Sequence, residues 1–131
     1  MTTSFDKAFF PDQVPVMSLS NSTLFPKAIL QLYIFEDRYK LMIEEVLSSH
    51  RLFAVTDLES KANTVSLNKP YKKSNDYSNV PIAGIGVVRA CRKNPDGTSH
   101  LIIQGMARVK LLSVSWDCPY PLADIEYLPS V

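Results

Sequence analysis

The sequence predicts an α+β, β-rich domain of about six strands with one main α-helix. Three observations carry that expectation. Most apolar stretches are of strand length and bounded by turn residues. Only the stretch 36–50 changes to an apolar spacing between three and four. The tetrapeptide Asn94-Pro95-Asp96-Gly97, set between two apolar runs, is a strong hairpin signal.

Taken in order, residues 1–13 are mixed in character and read as an N-terminal arm, with the domain proper over 14–131. The run 14–19 alternates apolar and small polar residues, which suits a short edge strand that tolerates Pro15 near its start. Residues 20–23 turn the chain, and Leu24-Phe25-Pro26 leads into 28–35, a dense apolar run with aromatic enrichment that predicts a buried strand. The helix follows. Phe35, Tyr39, Met42, Ile43, Val46 and Leu47 form its expected stripe, with Glu36 and Asp37 in a first turn where the helix dipole favours negative charge, and His50 and Arg51 at the far end.

A strand pattern resumes at 52–56, and the polar segment 57–79 reads as a long surface loop, which is uncommon in compact domains. Strands are then expected at 81–93, 99–106, 109–114 and 122–128. Within the hairpin, Pro95 presets a turn angle, Asp96 bonds back to the main chain and Gly97 accepts a left-handed conformation. Ile85, Val87, Val88, Leu101, Ile102 and Ile103 place apolar side chains on both faces, so the sheet is expected to be covered or closed.

The totals narrow the function classes. The 131 residues are 46% hydrophobic, enough for one core, and Lys+Arg 14 nearly balance Asp+Glu 13. That balance argues against nucleic acid or an anionic bilayer as a partner. No stretch approaches the ~20 apolar residues that a membrane helix needs, and 1–10 lacks the pattern of a secretory leader, so a cytoplasmic location is expected. Cys91 and Cys118 stand far apart with no CxxC spacing, so no metal site or disulfide framework is expected.

No catalytic constellation emerges either. A triad needs a base within reach of an exposed nucleophile, and the two histidines, His50 and His100, stand alone in the sequence. Gly84-Ile85-Gly86 lacks the third glycine and the following helix of a dinucleotide fingerprint, and there is no Gly-x-x-x-x-Gly-Lys-Ser/Thr phosphate loop. No cofactor is expected.

Four stretches in this order carry a family resemblance: Val16-Met17-Ser18-Leu19; Leu24-Phe25-Pro26; Ile34-Phe35-Glu36-Asp37-Arg38-Tyr39; and Gly86-Val87 through Asp96-Gly97 to Gly105-Met106-Ala107-Arg108-Val109. Together they resemble the N-terminal LON domain of the Lon protease family, the third and fourth stretches being the specific ones. The sequence departs from that pattern at Ser20-Asn21-Ser22-Thr23 and at Lys27, where Gly is usual. The resemblance implies a PUA-like pseudo-barrel and a non-catalytic module that binds other polypeptides, either unfolded clients or protease components, in substrate selection for ATP-dependent proteolysis. The chain ends soon after Tyr127, which fits either a stand-alone LON protein or a piece of a longer one.

Phe25, Pro26, Phe35, Arg38 and Tyr39 are the candidates for protein binding, since aromatic and Arg side chains dominate binding hot spots. A structural reading stands beside this one, with Glu36 as a first-turn acid and Tyr39 in the core. In its sharper form Glu36 pairs with Arg108 and ties the helix start to a strand. The alternative function is a small-ligand or RNA-binding PUA-like domain. Lys69, Tyr71, Lys72, Lys73 and Tyr77 would then supply cations and stacking faces.

Overall fold

In the computed structural model the described residues are 11–20, 23–58 and 81–129. They form six strands and one helix: β1 (Gln13–Ser18), β2 (Ile29–Ile34), α1 (Asp37–Leu47), β3 (Leu52–Thr56), β4 (Ile82–Lys93), β5 (Ser99–Ser115) and β6 (Leu122–Tyr127). The strand order is β2-β5-β4-β3-β1-β6, and β6 also pairs with β5. That last pairing closes a five-stranded ring, β5-β4-β3-β1-β6, and leaves β2 attached to the outside half of β5. The β-rich pseudo-barrel with one helix is therefore what the chain builds.

Closure depends on the length of β5. The sequence suggests two strands, 99–106 and 109–114, whereas the chain runs through Gly105 and Arg108 as one strand of 17 residues. Its first third, Ser99 to Gln104, pairs with β2 and its last part, Val109 to Ser115, with β6, while β4 pairs with it from Ser99 to Lys110. Irregular registers at Ile85/Gly86 and Val88/Ala90 of β4 and at Leu111/Ser113 of β5 bend the sheet enough to close it.

Two cores result. One collects Val14, Val16, Leu52, Ala54, Ala83, Ile85, Val109, Leu111, Ala123 and Ile125, two residues from each of the five ring strands, and so fills the barrel interior. The other packs the α1 residues Tyr39, Met42, Ile43 and Val46 against Met17, Phe53, Val55, Leu101 and Ile103. Successive residues of a strand face opposite ways, so Leu52 and Ala54 of β3 point into the barrel and Phe53 and Val55 under the helix. All five β3 residues are buried as a consequence.

Other expectations need correction as well. β1 is not an edge: it lies between β3, with which it is parallel, and β6. Pro15 is tolerated there because pairing with β3 begins only at Val16, whose N–H turns the other way to Pro121. β2 is not buried on both sides, since Ile29, Gln31 and Tyr33 face outward. Phe35 falls outside the helix stripe and is 60% exposed, because α1 starts two residues later. Its last turn holds no basic residue; Arg51 instead turns the chain into β3 with φ 60° and donates to the Val88 carbonyl at 3.3 Å.

The Leu24-Phe25 segment packs closely against β4 at Gly84 and β5 at Gly105. Leu24 is 2% exposed, and a side chain on Gly84 or on Gly105 would collide with the main chain at Leu24 or Phe25 respectively. Lys27 N–H then bonds to the Gly105 carbonyl at 2.7 Å, and Gly105 N–H to Ala28 at 2.8 Å, which fixes the entry into β2.

Candidate functional site

The outer face of the β2–β5–β4 sheet gathers exposed apolar and aromatic side chains. Pairing sets them in rows: Tyr33 beside His100 and then Arg92, and Gln31 beside Ile102 and then Ala90. Ile29 and Gln104 make the next row, where Arg89 Nε donates to Gln104 Oε1 at 2.9 Å. A depression of about 560 Å³ lies over this face, bounded by Tyr33 on the β2 side and Arg92 on the β4 side, with His100 and Ile102 along its floor.

The aromatic edge is ordered by ring contacts. Tyr33 stacks on Phe35 with centroids 5.8 Å apart, and the His100 ring lies 5.0 Å from that of Tyr33. Ile29, Tyr33 and Phe35 are each at least half exposed. β2 pairs only with β5 among the described residues, so its far edge carries unpaired main-chain groups. Its six residues include no charge and no proline, the usual devices that keep an edge from accepting another strand.

The sequence candidates separate into two groups. Phe25, Pro26, Phe35 and Arg38 are exposed. Tyr39 is 5% exposed and belongs to the helix core, where its hydroxyl accepts a hydrogen bond from Ser18 N–H at 3.1 Å. The Arg38 guanidinium sits 4.7 Å from the Tyr39 ring centroid and 3.3 Å from the Glu36 carboxylate. Glu36 and Arg108 are not brought together. Glu36 follows Ile34, which pairs with Ser99, and Arg108 is nine residues farther along β5, about 30 Å of strand. Arg108 instead lines a smaller cavity of about 220 Å³ with Thr23, Thr56 and Gly84. Lys69, Tyr71, Lys72, Lys73 and Tyr77 lie outside the described residues.

Tyr33, His100, Ile102 and Arg92 were missed because 28–35 reads as buried. A signal was present: polar Gln31 and Gln104 sit in phase with these residues at a spacing of two, as on a wetted strand face. Cys91 and Cys118 are free and half-buried, and among the described residues no cluster of three or more metal-ligating side chains occurs.

Residues 13–131 match the family of the ATP-dependent protease La (LON) substrate-binding domain. The chain belongs to that family. It is 29% identical over 113 residues to a Lon protease of Desulfosudis oleivorans, covering 84% of this chain and 13% of that protein. A Lon protease 1 of Thermus thermophilus is 27% identical over 124 residues, covering 94% of this chain and 14% of that protein. The chain thus spans about one seventh of these relatives. Among solved structures, a Lon N-terminal domain protein from Xanthomonas campestris aligns with TM-score 0.63 at 16% identity, over 89% of this chain and 60% of that one. The N-terminal domain of a Mycobacterium avium complex Lon protease aligns with TM-score 0.61 at 11% identity, over 91% of this chain and 56% of that one. The two solved structures share the fold of this chain. The matched region is the substrate-binding domain of the family, and none of the described helices is long and apolar enough to cross a membrane.

Proposed function

We propose that this LON domain is a non-catalytic recognition module that binds exposed apolar segments of other polypeptides, in the cytoplasm, and selects them for ATP-dependent proteolysis. The observation that carries this reading is the outer face of β2–β5–β4, where Ile29, Tyr33, Phe35 and Ile102 stand exposed side by side along a depression of about 560 Å³. Contiguous apolar surface of this kind marks interaction sites on proteins, and aromatic side chains on a rigid sheet lose little conformational entropy when covered. Family membership supports the same reading, since the matched domain is the substrate-binding one.

The test is a binding titration. A reporter polypeptide kept unfolded by capping its cysteines with neutral amide groups should bind the protein, and its folded form should not. Replacing Tyr33 and Phe35 by Ser should weaken that binding. Equal binding of the folded and unfolded reporter would defeat the proposal, as would undiminished binding by the Tyr33→Ser/Phe35→Ser variant.

A further inference from the structure

The depression has a charge asymmetry that the whole chain lacks. Overall the chain is nearly neutral, with a formal net charge of +1. The residues bounding the depression nevertheless include Arg92, and the next row adds Arg89; among the described residues no carboxylate lines it. Both arginines are exposed. Arg92 makes no ion pair among the described residues, and Arg89 spends only its Nε–H on Gln104, a neutral acceptor. The acids at this end of the sheet are otherwise engaged: Glu36 with Arg38 at 3.3 Å, and Asp96 with the Thr98 N–H and hydroxyl.

The geometry adds direction. β2 and β4 flank β5, so Tyr33 and Arg92 stand two strand spacings apart, about 10 Å. One side of the depression is therefore aromatic and the other cationic. A segment lying along β5 between them would meet both at once. Exposed guanidinium groups form charge-assisted hydrogen bonds with carboxylates more readily than with neutral acceptors, and they repel cations.

Resting on the polypeptide reading above, we infer that this face selects segments in which bulky apolar residues are interleaved with carboxylates, and discriminates against apolar segments carrying lysine or arginine. A second copy of this face offers, among its described lining residues, no carboxylate for these arginines to pair with.

Three short labelled peptides with the same Leu and Tyr positions, carrying Glu, Gln or Lys at the intervening ones, are titrated against the full chain by fluorescence anisotropy. The Glu peptide is expected to bind about three- to tenfold more tightly than the Gln peptide, with the Lys peptide weakest. Raising the salt concentration compresses the series. Arg92→Glu, and Arg89→Glu/Arg92→Glu together, should invert the order; thermal denaturation of each variant confirms that it is folded. Equal binding of all three peptides, or an order that survives the charge reversal, overturns the charge selectivity and leaves polypeptide recognition standing. No binding by any of the peptides, while the protein is folded, overturns the recognition reading and this inference with it.

Discussion

The main-chain carbonyl oxygen of Leu24 fills the space that a side chain on Gly84 would need. Gly84 is on β4, in the barrel wall, and Leu24 is buried in the core beneath α1. The contact therefore locks the segment before β2 onto the ring. Backbone cannot swing aside as a flexible side chain would. Gly84→Ala should lower stability by about 2–3 kcal/mol, as overpacking of a tight site does. Urea denaturation would measure it, and a loss below about 0.5 kcal/mol would mean that the segment is not held there.

Lys27 sits at φ 71°, a left-handed conformation that disfavours any residue with a side chain. Its N–H bond to Gly105 needs only the main chain. Lys27→Gly keeps that bond and relieves the strain, while adding freedom to the unfolded chain. The net expectation is a gain of about 0.5–1 kcal/mol, seen as a rise of roughly 2–4 °C in Tm. Arg51, at φ 60°, should not respond in the same way, because its guanidinium holds the Val88 carbonyl.

The sequence made some of this legible and hid the rest for physical reasons. The helix could be read because Tyr39, Met42, Ile43 and Val46 repeat the helical spacing and all four are buried. The hairpin could be read because turn chemistry is local: Gly97 has φ 91°, and Asp96 accepts from Thr98 N–H at 3.0 Å. The purpose of Gly84 and Gly105 could not be read, since the segment that they admit lies at Leu24 and Phe25, distant in sequence. The exposure of β2 was hidden for a similar reason. Whether Ile29 and Tyr33 meet water depends on whether anything packs on the outside of β5, which no local pattern reports. The position of Glu36 relative to Arg108 depends on the continuity of β5, whereas the sequence suggests two strands, 99–106 and 109–114, with Ala107 and Arg108 between them.

Asp96 gives the fold a pH dependence at the acid end. Its side-chain bond to Thr98, then the bond from the Thr98 main chain, holds its carboxyl below the ordinary value of 3.8. A group whose pKa is lowered by folding stabilises the fold above the unfolded value, and that stabilisation disappears as pH falls through the folded value. Asp96→Ala should therefore be less stable than the unaltered protein near neutrality, and the gap should close as pH drops below about 3.8. Denaturation midpoints of the pair from pH 7 to pH 2.5 would check it; a gap that stays constant would show that the carboxylate is not the cause.

Tyr39 and Phe35 are four residues apart and should behave in opposite ways. The Tyr39 hydroxyl is the acceptor for Ser18 N–H at 3.1 Å and joins α1 to β1. Tyr39→Phe leaves the ring in the core but strands a half-buried donor, at a cost of about 1 kcal/mol. Polypeptide binding should be unaffected, because the ring is 5% exposed. Phe35 is 60% exposed and stacks on Tyr33 at the rim of the depression. Phe35→Ser should leave stability within about 0.5 kcal/mol and weaken polypeptide binding about tenfold, as loss of an aromatic anchor does. Denaturation and binding titrations on both variants separate the two roles. If Tyr39→Phe weakened binding at unchanged stability, or Phe35→Ser cost stability and left binding intact, the docking surface would have to be sought at the helix instead of the outer sheet face.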